Sequence, residues 1–344
     1  MHGVRRKRRE KGMRRPRIKV DGEGFYHVVS RIGGRRFLLD DKEKGILLGM
    51  IRRAAAFSGV EVYTYAIMDN HFHLLVRVSA KREVTEEELR SRVAALYGEE
   101  RAVQLFAEWA KRERKGKSAA VEAEKERLKK RMHDLSQFCK TFKEAYTQDY
   151  NRRHDNTGTI WEGRFKSLLL EGSARALLTV AGYSHLNPVR AGMAKEPEAS
   201  PHAGYGAACG GDAASQAGLE GLVARAKGKP SGEKGEWREA RETCRSMMEG
   251  KTGMFEADAG RSPERTGGGA RRERREEKEE TKALYGLLRS RRSGFLHGGA
   301  LGGEGFVREV ATLLPPRVRR KPEGTSGGLS WLGLASAAGV REAS

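Results

Sequence analysis

Between residues 20 and 190 the apolar positions switch between a period of two and a period near 3.6, and the switches mark out structural elements. Phe25-Tyr26-His27-Val28-Val29-Ser30-Arg31 is rich in aromatic and β-branched residues and predicts a strand, with Gly33-Gly34 as the turn after it. Ile46, Leu47, Met50, Ile51 and Ala54 fall on one helical face. Asp40 or Asp41 is the candidate N-cap of that helix, which runs to about Phe57 and ends at Gly59. Val60–Met68 and Asn70–Val78 predict two further strands, joined through Asp69-Asn70 as a tight hairpin. Residues 80–132 are charge-dense with a helical pattern, open on a Thr85/Glu88 capping box and break at Lys111–Lys117. A helix from about Asp134 to Tyr150 carries Leu135, Phe138, Phe142 and Tyr146 along one face. Asn151–Gly158 reads as a polar turn, Phe165–Glu171 as a fourth strand, and Ala174–Leu186 as a helix stopped by Pro188.

The order strand, helix, strand, strand, helix, strand, helix predicts an α+β fold, a ferredoxin-like split βαβ antiparallel sheet with helices on one face. The other face would stay open for a nucleic-acid strand. The organisation that follows is a basic arm at 1–19, a catalytic-type domain at 20–195 with a helical insertion at 80–132, a Gly- and charge-rich linker at 196–282, and a small or partly disordered region at 283–344. Within the linker, 204–220 is rich in Gly and Ala and 258–282 is a Gly, Arg and Glu run; Ala283–Leu288 and Gly305–Leu314 predict short helices.

Charge narrows the partner. Lys and Arg number 67 against 46 Asp and Glu, a formal charge of +21, which favours a polyanion. Nucleic acid is the first candidate and an anionic membrane surface the second. Ten of residues 1–19 are Lys or Arg against the single acid Glu10, a solvated arm or one that orders along phosphates. The three scattered cysteines, Cys139, Cys209 and Cys244, form no Cys-x-x-Cys pair, which argues against a zinc ribbon or a disulfide framework and fits a reducing cytoplasm. No apolar run approaches the roughly 20 residues that span a bilayer, and the basic start lacks the apolar stretch of a secretory signal.

Candidate chemistry begins with His71-Phe72-His73. Residues i and i+2 of a strand share a face, so two imidazoles stand side by side with Phe72 opposite, an arrangement suited to a divalent metal. Tyr183 and Asn187 lie four apart on a predicted helix and share a face. Asn187 would offer an amide oxygen as a third ligand and so hold Tyr183 near a metal-bound phosphate. Phosphodiester cleavage without ATP needs that set: a nucleophile, a Lewis acid and a positioned strand. Trp161, Arg164 and Lys166 form an aromatic and basic cluster able to stack a base and hold phosphates, or else Trp161 plugs the sheet edge. Arg31 and Arg190 are further candidate phosphate contacts. Tyr146 and Tyr150 rival Tyr183 as nucleophile but fit core packing, and His185 and His27 read as structural, His27 with a possible part in shaping the site.

These strings resemble a known family. His71-Phe72-His73 is similar to the His-hydrophobic-His pattern of the HUH single-strand endonucleases. Tyr26–Arg31, Met68–His73, Asn151–His154, Trp161–Ser167 and Tyr183–Gly192 resemble the single-tyrosine transposases, in particular the REP-associated tyrosine transposases, over roughly residues 17–195. Gly298–Val310 is a weaker echo of a C-terminal extension found in some relatives. The resemblance implies an HUH endonuclease fold, with His71 and His73 binding Mg or Mn and Asn187 at the third-ligand position. It also implies that Tyr183 attacks the scissile phosphate of single-stranded DNA beside a hairpin, forming a 5′-phosphotyrosine and a free 3′-hydroxyl. Relatives bind repetitive extragenic palindromes. A monomer would cleave with its own tyrosine and a homodimer could exchange them. The competing expectation is a non-catalytic nucleic-acid-binding module on the same scaffold. A replication initiator or relaxase shares the chemistry but not the Tyr-x-x-x-Asn-Pro string.

Overall fold

The structure is a computed structural model that describes residues 18–230, 235–250, 299–312, 322–326 and 329–332. Strand β1 is Gly24–Arg31, helix α1 Asp41–Ser58, β2 Val60–Met68 and β3 His71–Val78. Local chemistry fixes their limits. The Asp40 carboxylate accepts from the Glu43 amide at 2.8 Å to start α1, and Gly59, at φ 65°, closes it in the left-handed conformation that glycine adopts without strain. Met68 pairs with His71 across Asp69-Asn70, so β2 and β3 form the predicted two-residue hairpin. Helix α5 (Leu135–Arg153) is capped by Asp134 and α6 (Ala174–Arg190) by Ser173, with β4 (Lys166–Leu170) between them.

The strands β2-β3-β1-β4 lie in that order, and each neighbouring pair is antiparallel. With α1 and α5 packed on one face, this is the expected ferredoxin-like α+β arrangement. Tyr26, Val28, Phe72, Leu74 and Val76 point into that layer against Ile51, Phe138 and Phe142.

The insertion is helical as expected: α2 (Glu86–Tyr97), α3 (Glu99–Arg114) and α4 (Ser118–Lys129) enclose a core of Leu89, Val93, Trp109 and Val121 that also takes in Phe57. Thr85 accepts from the Glu88 amide at 3.2 Å, while the Glu88 carboxylate turns to Arg82 and Arg92.

Two expectations fail together. The second face of the sheet is not open, and residues 204–226 are not a linker. Helix α6 lies on that face with α7 (Gly204–Cys209), α8 (Ala213–Ala226) and α9 (Trp237–Glu249). Phe25, Leu75, Leu168 and Leu170 pack there against Leu177, Val180, Tyr205 and Leu222. The small residues in 204–220 are there for close approach rather than for flexibility. A Cβ on Gly204 would fall 2.3 Å from the Thr64 hydroxyl, and one on Gly218 would fall 2.7 Å from the carbonyl oxygens of Val62 and Tyr63. Gly218→Ala is therefore expected to lower stability by about 1–3 kcal/mol through overpacking against backbone, measured by urea unfolding. A linker glycine would tolerate the change.

The carboxyl-terminal region also joins the sheet. Strand β5 (Ala300–Gly302) runs parallel to β4, and β7 (Leu329–Leu332) and β6 (Pro322–Ser326) extend the order to β2-β3-β1-β4-β5-β7-β6. The predicted helix near 305–314 is α10, Glu304–Thr312. Residues 1–17, the run 258–282 and the predicted helix 283–288 lie outside the described residues.

Two helix ends differ from expectation. Helix α5 continues to Arg153, whose guanidinium reaches back to Glu43 in the first turn of α1. Helix α6 passes through Pro188 to Arg190, because Arg190 ties down the last turn by donating to the Tyr183 carbonyl and the Asn187 side chain, both at 2.7 Å.

Candidate active site between the sheet and helix α6

Alternation along β3 sends His71, His73 and Leu75 toward α6 and Phe72, Leu74 and Val76 toward α1 and α5. The two imidazoles lie with ring centroids 5.0 Å apart. Tyr183 comes down from the middle of α6 and sets its ring edge against His73, centroids 5.9 Å apart and planes at 70°. Tyr183 and His73 of one chain thus touch within that chain.

Hydrogen bonding sorts the imidazole nitrogens. His71 Nδ1 lies 2.7 Å from the Asn70 side-chain oxygen, which can only accept, so His71 carries its proton on Nδ1 and keeps a lone pair on Nε2. His73 Nδ1 lies 2.9 Å from His27 Nε2, and those two rings are nearly coplanar, 8° apart. Burial, helped by Arg31 and offset by Asp69, pushes the His71 imidazolium down to about 4. Burial also holds His73 well below the usual histidine range, with His27, His71, Arg190 and Arg31 adding to the effect. Both rings are neutral at pH 7, the form in which imidazole ligates a metal.

The donor set fits a divalent ion in part. His71 and His73 present neutral nitrogens with their other nitrogens already bound, the usual arrangement of ligating histidines. Among the described residues no group of three His, Cys, Asp or Glu gathers as a metal site. Asn187, the expected third donor, lies one turn along α6 from Tyr183; its oxygen accepts from Arg190, and its buried Nδ2 has no hydrogen-bond partner.

The predicted DNA-contact residues separate into two groups. Arg190 is half-buried, with its guanidinium 4.1 Å from the centroid of the Tyr183 ring. Arg31 stands opposite His71 in the strand register, and Lys166, opposite Val29, shares that face of the sheet. Arg164 is exposed on the loop before β4. Trp161 is different. It is buried on the other face, its ring 5.7 Å from Phe72 and 5.9 Å from Tyr146, and its indole N–H donates to the Lys143 carbonyl. Of the two roles open to it from sequence, the structure places it in the core, where it is not presented to stack a base.

The rival tyrosines are also accounted for. Tyr146 is fully buried and donates to Glu43 at 2.7 Å, and Tyr150 stacks on His154 at 4.2 Å. His185 is buried against Tyr205 with Nε2 2.7 Å from the Thr64 hydroxyl, and burial lowers it to about 3. It is structural, as its offset from Tyr183 indicates. His27 is buried on β1 beside His73, the two being hydrogen-bonded neighbours on one face of the sheet, a contact that sequence alone does not specify. The signal was available, since an apolar strand next to the His71 strand carries one buried histidine on the same alternation.

Comparison with known proteins bears on this geometry. The model of the IS200-like transposase family matches residues 23–107, which include β1, β2 and β3. Among solved structures, one described as a REP-associated tyrosine transposase bound to a REP hairpin aligns at 15% identity, covering 57% of this chain and 82% of that one, with a TM-score of 0.35. No curated protein matches the sequence. Tyr183 lies beyond the matched segment, whereas both histidines and His27 lie within it. Residues 23–107, about a quarter of the chain, are thus similar to the IS200-like transposases.

Proposed function

We propose that this protein is a DNA transposase that cuts and rejoins single-stranded DNA through Tyr183. The observation that carries the reading is the contact of the Tyr183 ring with His73, in a site where two neutral imidazoles stand together. The Tyr183 hydroxyl oxygen attacks the scissile phosphorus, the bond to the 3′ oxygen breaks, and the products are a 5′-phosphotyrosine and a free 3′-hydroxyl. The reverse attack by a 3′-hydroxyl reseals a strand without a nucleotide cofactor.

Residues around the tyrosine position it and the strand. Arg190 covers the Tyr183 ring and holds its carbonyl, which restrains the helix turn that carries the nucleophile. Arg31 and Lys166 lie on the histidine face and would hold phosphates, with exposed Arg164 further along the strand path. Mg2+ or Mn2+ held by His71 and His73, with or without Asn187, would supply positive charge to a non-bridging phosphate oxygen. The hairpin beside the cleavage site rests on the resemblance of the Tyr183–Gly192 string to the REP-associated enzymes.

The test is a denaturing gel with labelled hairpin-flanked single strands from either side of the gene. A Mn2+-dependent band that survives denaturation and is abolished by a chelator is expected. Salt-sensitive binding of the same DNA, indifferent to chelator and without any such band, would instead indicate a binding module.

A further inference from the structure

The geometry points to His27 as the positioning residue that sets the tautomer of His73 and thereby makes its Nε2 available as a ligand. The inference rests on the metal-assisted reading above. His27 is 1% exposed on β1, and its Nε2 lies 2.9 Å from His73 Nδ1. A hydrogen bond between two neutral imidazoles holds one proton, and there are two ways to place it. If His73 donates from Nδ1, its Nε2 keeps the lone pair and can ligate. If His27 donates from Nε2, His73 must carry its own proton on Nε2 and cannot ligate there.

His71 faces no such choice, because its partner is an amide oxygen that only accepts. The two halves of the pair are thus fixed differently, His71 by Asn70 and His73 by a second imidazole. The near-coplanar His27 and His73 rings, 8° apart, align a lone pair with an in-plane N–H, as this bond requires. His27 pairs with Leu75 in the strand register, so it reaches His73 diagonally on the same face of the sheet. Its part is to accept the hydrogen bond that His73 donates from Nδ1 within the sheet.

The experiment uses the full chain and two readouts. Mn2+ affinity is measured by titration, and the His73 tautomer by nitrogen NMR of histidine-labelled, metal-free protein, with the resonance assigned by its loss in His73→Gln. His27→Phe removes the acceptor and is expected to weaken Mn2+ binding by about 10–100-fold. The His73 proton, on Nδ1 in the wild type, then redistributes toward Nε2. His27→Gln, whose side-chain oxygen can accept the same proton, is expected to recover most of the affinity. His27→Leu replaces the Phe variant if that one does not fold.

Wild-type Mn2+ affinity in the Phe or Leu variant, or a wild-type His73 proton on Nε2, would overturn the assignment. If the wild type binds no Mn2+, the metal reading fails by itself. The tautomer then decides on His27: a Nδ1 proton lost in the variant sustains its role, and an unchanged tautomer removes it.

Discussion

Tyr183→Phe is expected to bind DNA as the wild type does and to form no covalent adduct, with strand cleavage reduced by roughly 10³-fold or more. The variant deletes one oxygen and leaves the ring that packs against His73 and lies beneath Arg190. Fold, histidine geometry and cationic surface therefore persist, and the loss falls on the bond-forming atom. A gel-shift titration run beside the denaturing assay separates the two effects. Equal loss of binding and adduct would mean that the hydroxyl serves recognition and not attack.

Glu43→Ala is expected to destabilise the fold by about 3–5 kcal/mol, the scale on which removing one partner exposes another buried charge. The Glu43 side chain is 2% exposed at the start of α1. It accepts from the Tyr146 hydroxyl at 2.7 Å, from His154 at 2.9 Å and from the Arg153 guanidinium. Removing it strands a buried hydroxyl and a half-buried cation between α1 and α5. Burial alone would raise this carboxyl, but the hydrogen bonds from Arg153, His154 and Tyr146 outweigh it and hold it down to about 2. A carboxylate whose folded value is lowered stabilises above its unfolded value, near 4.5, and the contribution fades as pH falls toward 2. The interval corresponds to about 3 kcal/mol. Urea unfolding of the wild type and Glu43→Gln at several pH values should show their stability gap closing between about pH 4.5 and pH 2. A gap independent of pH would mean that packing, not charge, carries the cost.

The arginine and histidine of that cluster belong to the Asn151–His154 string, and sequence alone placed those residues in a polar turn. The reason is instructive. Helix α5 has no apolar residue at its end to extend the periodic signal, and its last turn is held by a carboxylate more than a hundred residues away. Long-range ion pairs leave no periodicity to read. The elements with local causes were legible: Asp40 and Gly59 bound α1, Asp69-Asn70 turns the hairpin, and alternation puts His71 and His73 on one face.

The second helical layer was harder to see for a different physical reason. Gly204 and Gly218 look like linker residues in composition, yet they are the positions where α7 and α8 come close to β2. A hint did exist in the strands. Ala66-Ile67-Met68 and Leu74-Leu75-Val76 are continuously apolar, the pattern of strands covered on both faces. Trp161 shows the converse limit, since an aromatic flanked by basic residues reads the same whether it faces DNA or the core. Its contacts with Phe72 and Tyr146 and its indole bond to the Lys143 carbonyl separate the two roles.

The central claim, that Tyr183 is the nucleophile, is tested most directly by mapping the adduct. DNA-linked protein, trimmed with nuclease and digested with trypsin, releases residues 176–190 as a peptide whose single tyrosine is Tyr183. The account predicts the nucleotide mass on that peptide. The same mass on residues 144–152, which contain Tyr146 and Tyr150, would contradict it.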